Sequence, residues 1–159
     1  MNFFKRNKST QTDTLILYGT KTGNAKEVAK LTNKYLQKNG LKTSYSDIRS
    51  YPPEKLRDIR NLLVIISTHG QGTPPPSAKL FFEEILSDRM YPLPHMKYTV
   101  CALGDSNYEY FCEAGRKIDK RLKELQAQEL YPRTDCDADF SATAIEWIKG
   151  SFNNLKKNI

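Results

Sequence analysis

LILYGTKTGNAKEVAK, residues 15–30, passes from an apolar run to an amphipathic helix through one short polar turn. Leu15-Ile16-Leu17 reads as a buried strand. Ala25, Val28, Ala29, Thr32, Tyr35 and Leu36 recur at helical spacing, which predicts a helix over residues 25–39 that stops at Gly40. Between them, Thr20-Lys21-Thr22-Gly23-Asn24 offers hydroxyls and backbone N–H groups at a helix start, where the dipole favours an anion. Gly23 lets the backbone approach a ligand closely. The same residues also fit plain helix capping. The glycines are too close for the P-loop pattern G-x-x-x-x-G-K-S/T, and G-x-G-x-x-G is absent. ATP and a dinucleotide are therefore excluded at this turn.

Working outward, strand and helix patterns alternate. Residues 41–47 form a weaker alternating strand, and Pro52-Pro53 opens a short helix through Ile59. Residues 62–66 (LLVII) are continuously apolar, as a strand buried on both faces should be. A helix over 78–86, a strand over 98–103 and a helix over 114–125 follow. The pattern closes with a short strand over 129–133 and an amphipathic helix over 140–155 carrying Trp147. Five strands alternating with five helices predict an α/β fold: a parallel sheet with helices on both faces, joined by right-handed crossovers. Such sheets bind ligands beyond the carboxyl ends of their strands.

Two more loops fall at that edge. Ser67-Thr68-His69-Gly70-Gln71-Gly72 combines an open glycine-rich backbone with three prolines, Pro74 to Pro76, that stiffen its exit. His69 is either an ordinary loop histidine or a side chain flanking a planar ring. Leu103-Gly104-Asp105-Ser106-Asn107-Tyr108-Glu109-Tyr110-Phe111-Cys112 packs three aromatic rings into one loop. Such rings are either satellite core or ligand platforms. No G-x-S-x-G elbow, H-E-x-x-H or carboxylate pair of acid–base type occurs. An anion cradle, two glycine-rich walls and aromatic faces suit a phosphorylated flat ring that carries the chemistry itself.

Composition agrees with a soluble protein. The 159 residues, 38% hydrophobic and 11% aromatic, fit one domain over residues 14–159 behind a polar, basic tail at 1–13. No run approaches the ~20 apolar residues of a membrane span, and the N-terminus has no signal-peptide stretch, so a cytoplasmic protein is expected. Phe3 and Phe4 beside Lys5 make too small a patch for membrane binding. Cys101, Cys112 and Cys136 are odd in number and form no C-x-x-C pair, which fits reduced thiols. With His69 and His95 the only histidines, no metal-ligand spacing exists. The net charge of +7, from 25 Lys+Arg against 18 Asp+Glu, fits an acidic partner or a solvated basic surface.

Together, Y-G-T-K-T-G-N-A (18–25), S-T-H-G-Q-G-x-P-P (67–75), L-G-D-S-N-Y-E-Y-F-C (103–112) and D-C-D-A-D-F through E-W (135–147) resemble the flavodoxin-like FMN domain of diflavin reductases. Most similar is the domain of the sulfite reductase flavoprotein subunit. The resemblance covers about residues 14–150. It implies a three-layer sandwich whose five-stranded sheet has the order 2-1-3-4-5, with FMN at the switch point. It implies that Thr20, Lys21, Thr22, Gly23, Asn24 and Ala25 wrap the FMN phosphate, the Lys21 side chain facing solvent. His69 and Tyr108 would flank the isoalloxazine and Gly70 would face flavin N5. Ser67, Thr68, Gln71 and Gly72 on one side, and Leu103, Gly104, Asp105, Asn107, Tyr110, Phe111 and Cys112 on the other, would hold the ring. The chain departs from the family in being basic, in having Gln71 where an acidic residue is common, and in having no room for an FAD/NADPH module or a long-chain loop insertion.

The function implied is a single-electron carrier, a short-chain flavodoxin or excised domain, working as a monomer between an FAD/NAD(P)H reductase and a redox enzyme. A sulfite-reductase-type or other metalloenzyme would be the acceptor, with an acidic docking face. Neither nucleic acid nor membrane is expected as a partner. One alternative is a stand-alone FMN-dependent reductase of quinones or ferric chelates. Another is a cofactor-free interaction module on the same fold.

Overall fold

The computed structural model describes residues 14–157, so the tail expected at 1–13 lies outside the described residues. Strands β1 (Thr14–Gly19), β2 (Thr43–Asp47), β3 (Asn61–Ser67) and β4 (Lys97–Leu103) carry the central sheet. Two short edge pieces, β5 (Gln128–Glu129) and β6 (Thr134–Cys136), complete it. Helices α1 (Asn24–Lys38), α2 (Lys79–Ile85), α3 (Glu113–Glu124) and α4 (Ser141–Lys157) connect and cover the strands. All pairings are parallel, in the order β2-β1-β3-β4-β5, with β6 also on β4.

The three central strands are mostly apolar because both faces are covered. Leu15 and Leu17 of β1 enter one core with α2 and α3, while Ile16 and Tyr18 enter a second core with α1 and α4. Val64 and Ile66 join the first, and Leu63 and Ile65 the second. On α1, of the residues predicted to face inward, Ala25, Val28, Ala29, Thr32 and Leu36 are buried, and Tyr35 is half-buried against the second core. Gly115 brings α3 onto β4. A Cβ there would lie 2.3 Å from the Ala102 Cβ. Trp147 of α4 is fully buried, and its indole N–H donates to the buried Thr99 hydroxyl at 2.9 Å.

Two elements differ from expectation. The segment opened by Pro52-Pro53 is a 3₁₀ helix, Pro53–Asp58, preceded by a 3₁₀ turn at Ile48–Ser50. The span is only six residues, and its bonds run from Lys55 N–H to Pro52 O and from Ile59 N–H to Leu56 O, both 3.0 Å, the i→i+3 pattern of short helical pieces. The strand expected over 129–133 is interrupted where it was centred. Glu129 pairs with Tyr98 and Thr134 with Cys101, so β4 advances three residues while the edge chain advances five. Pro132 lacks an N–H and forces the chain out of register, which an edge position tolerates. Arg133 is turned onto the buried Asp119 (3.0 Å) and onto Asp135 (3.0 Å), and Asp119 also accepts from the Tyr98 hydroxyl at 2.7 Å. Strands β5 and β6 are thus one broken fifth strand.

Removing the Thr99 hydroxyl tests the central core. Thr99→Val leaves the Trp147 N–H buried without an acceptor and should lower stability by about 1–3 kcal/mol. Urea unfolding should show a lower midpoint with an unchanged slope.

Candidate functional site

At the carboxyl end of β1, Gly19 is pressed against β3: a Cβ there would lie 2.4 Å from Ile66 Cδ1. The chain then turns sharply. The Thr20 hydroxyl accepts the Gly23 N–H at 2.9 Å, and Gly23 adopts φ 97 as the residue preceding α1. A Cβ on Gly23 would meet nothing within 4 Å, so the left-handed backbone, not crowding, calls for glycine. Among the described residues, no side chain caps the start of α1. Its first-turn N–H groups and its dipole are therefore left for a ligand.

The second loop leaves β3. Thr68 donates its N–H to the Leu103 carbonyl at 3.0 Å, and its hydroxyl accepts the Ala114 N–H at 3.1 Å. Thr68 thereby caps the start of α3 from a neighbouring loop. His69 and Thr73 form an antiparallel bridge with backbone bonds of 2.8 and 3.1 Å around Gly70-Gln71-Gly72. Gly70 (φ 49) is exposed, whereas Gly72 (φ 86) is packed on Tyr110 and Glu113. The Lys21 ammonium donates to His69 Nδ1 at 3.0 Å and ties the first loop to the second.

The third loop follows β4. Gly104 donates its N–H to the Cys136 carbonyl at 3.0 Å, and the Asp105 carboxylate accepts the Asn107 N–H at 2.9 Å. Tyr108 and Tyr110 stand 66% and 43% exposed, high values for rings that line a concave surface. Cys112 ends the loop in a left-handed conformation (φ 55), buried, with its thiol directed at the Ala102 carbonyl at 3.4 Å. Burial, chiefly, pushes this thiol up to about 12. Cys112 is a floor residue and not a nucleophile.

These loops enclose a cleft of about 410 Å³, within the size range of small-molecule sites. The first loop contributes Lys21, Thr22 and Asn24, and the second Ser67, Thr68, His69 and Gly70. The third contributes Leu103, Gly104, Asp105, Tyr108, Tyr110, Phe111 and Cys112. Thr20, Gly23, Ala25, Gln71, Gly72 and Asn107 do not line it. Thr20 and Gly23 shape the first turn, Ala25 is buried in the second core, and Gly72 packs behind the third loop. Gln71 and Asn107 are exposed. Lys21, expected to face solvent, is exposed but reaches across to His69.

A fourth segment was not foreseen. Asp137, Ala138 and Phe140, between β6 and α4, also line the cleft. Asp137 accepts the Ser106 hydroxyl, the Ser106 N–H at 2.9 Å and the Ala138 N–H at 2.7 Å. The Ser106 hydroxyl above all holds this carboxyl below the usual carboxylate range. The signal in sequence was the DCDADF stretch, which carries part of the family resemblance but was given no role at the site.

This fold and cleft are those of a flavin-binding α/β protein. The chain belongs to the flavodoxin family, whose model matches residues 16–147 and whose cofactor is FMN. It is 41% identical over 143 residues to the sulfite reductase (NADPH) flavoprotein alpha-component of Bacillus subtilis (strain 168), covering 89% of this chain and 24% of that protein. The counterpart from Buchnera aphidicola is 38% identical over 145 residues, covering 91% and 24%. The chain thus spans about a quarter of the length of these relatives. A solved flavodoxin from Pseudomonas aeruginosa, a cysteine-to-alanine variant, superposes with TM-score 0.79 at 29% identity, covering 90% of this chain and 98% of that one. A streptococcal flavodoxin shares the fold at TM-score 0.82 and 21% identity, covering 92% and 99%.

The residues present fit that cofactor. An uncapped helix N-terminus suits a phosphate, and exposed tyrosines beside glycine-rich backbone suit a flat ring.

The Cys112 environment is testable. Its thiol should resist iodoacetamide at pH 8 in the native protein and react in denaturant, as followed by mass spectrometry. Native alkylation at that pH would contradict the assignment.

Proposed function

We propose that this chain is an electron-transfer domain that holds FMN in the cleft and passes single electrons from an FAD/NAD(P)H reductase to a redox enzyme. An acceptor of the sulfite-reductase or another metalloenzyme class fits the named relatives. The observation that carries this reading is the division of the cleft into an anion end, at α1, and an aromatic end, at Tyr108 and Tyr110. Bound FMN supplies one-electron chemistry. The chain's residues hold and shield it. The α1 N-terminus, with Thr22 and Asn24, receives the phosphate. Tyr108 and His69 flank the ring, and Gly70 gives the adjoining peptide freedom to turn. Cys112, kept protonated, stays out of the chemistry.

A cytoplasmic setting is supported by three free, buried cysteines, and no helix is long and apolar enough to cross a membrane among the described residues. A monomer working alone against NADPH would instead be the reductase reading, and steady-state NADPH oxidation by the pure protein separates the two.

Partner docking follows from charge. Lys26, Lys30, Lys34 and Lys38 form an exposed stripe on α1, opposite its buried face. Lys30 pairs with Glu27, at 3.8 Å on the surface. This stripe favours a partner with an acidic docking face. The far rim carries Asp105, Glu109, Asp137 and Asp139, so the same partner would present basic groups there.

Two outcomes are expected. FMN should bind one per chain and riboflavin at least about tenfold more weakly, since each charge-assisted hydrogen bond to the phosphate contributes roughly 1.5–3 kcal/mol. FAD should also bind more weakly, because of its bulky adenylate. Equal affinities for FMN and riboflavin in a fluorescence titration would refute the phosphate assignment. Reversal of two lysines, Lys26→Glu with Lys30→Glu, should slow electron exchange with the true partner. Added salt should slow the wild type too, as the Debye length falls from ~10 Å at 0.1 M to ~3 Å at 1 M. A second-order rate that ignores both changes would leave the stripe with solubility alone.

A further inference from the structure

Among the cleft residues, Asp137 joins the segment after β6 to the third loop through its side chain, as Lys21 joins the first loop to the second. Its carboxylate holds both the N–H and the hydroxyl of Ser106, thirty-one residues away. The two ends of this link differ in how firmly they are built. Asp137 directly follows β6, whose Cys136 stands in register with Leu103 of β4. The Cys136 carbonyl also accepts the Gly104 N–H at 3.0 Å, and Asp137 accepts the Ala138 N–H at 2.7 Å. Arg133, bonded to Asp119 and Asp135, anchors the chain just before β6. Ser106, by contrast, sits exposed in the loop that leads to Tyr108.

We infer that Asp137 is a positioning residue: it latches the third loop to the sheet so that Tyr108 and its neighbours stand ready before a flavin arrives. This rests on the flavin-site reading above. Beyond Gly104 the loop has its own turn, in which Tyr108 donates its N–H to the Asp105 carbonyl at 3.0 Å. That turn sets local shape but does not orient the loop against the sheet. The Asp137–Ser106 pair supplies the orientation, with two donors on two carboxylate oxygens fixing direction as well as distance. A loop ordered in advance loses less entropy on binding, so the latch strengthens affinity without touching the phosphate. It acts on the ring end of the cleft. The loss on breaking it should therefore be the same for FMN and riboflavin.

The test compares Asp137→Ala, Asp137→Asn and Ser106→Ala with the wild type. In flavin-free protein, amide exchange at Ser106, Asn107 and Tyr108 should quicken in Asp137→Ala, with the unfolding midpoint reporting that the fold persists. Titration with FMN and with riboflavin should show both affinities reduced about tenfold, their ratio unchanged. Asp137→Asn keeps an acceptor for the two N–H groups and a donor for the Ser106 hydroxyl, so it should restore both readouts. Ser106→Ala, which leaves the backbone bond, should show a smaller loss of the same pattern. Unchanged exchange at residues 106–108 in Asp137→Ala would overturn the latch. So would an affinity loss confined to FMN, or an Asp137→Asn variant no better than Asp137→Ala, which would make the role one of charge. If the wild type bound neither flavin, the functional reading would fail while the exchange comparison still decided the latch.

Discussion

The N-terminus of α1 is the point on which the site depends. Gly23, in its left-handed conformation, has no side chain to offer, and no other side chain among the described residues caps the helix start. A glycine at the helix start gives up only about a few tenths of a kcal/mol relative to Ser, Thr, Asp or Asn in that place. The helix persists because it is held along its length: Ala25, Val28, Ala29 and Leu36 are packed into the second core. Stability is thus supplied by the buried face, and the exposed end is left to an anion. Were the turn to move, the phosphate end of the cleft would be lost while the sheet remained.

The other loops are fastened to each other as well as to themselves. Thr68 of the second loop caps α3, which follows the third loop. Gly72 leaves room for Tyr110 of the third and for Glu113 at the start of α3. Gly104 and Ser106 lean on Cys136 and Asp137. Each loop is exposed, yet each has at least one bond to a neighbour rooted in a different strand. That arrangement allows a glycine-rich, solvent-facing cleft to hold a shape without a rigid core of its own.

Legibility in the sequence followed the range of the interactions. Strands β1, β3 and β4 were evident because burial on both faces leaves no polar alternation to misread. The turn after β1 was evident because anion binding at a helix start uses contiguous residues. The fifth strand was misplaced because Pro132 breaks a pairing whose two halves lie on either side of it. The short helix after β2 was recognised, but over six residues an i→i+3 and an i→i+4 ladder leave the same sequence pattern, so its 3₁₀ form was not legible. Asp137 escaped notice because its role is a bond across 31 residues of sequence, which local pattern does not encode. Thr20, Gly23 and Ala25 lay in the right segment but act behind the cleft wall, shaping a turn whose ligand-facing atoms belong to their neighbours.

Phosphorus-31 NMR of the FMN-loaded protein, followed against pH, addresses the α1 end most directly. Free phosphomonoester has a second pKa of about 6, and its resonance moves as that proton is lost. A phosphate held by the N–H groups of α1 is kept in its charged form, and its shift should stay constant from about pH 5 to 8. A resonance that titrates like free FMN while the flavin remains bound would place the phosphate in solvent and contradict the account.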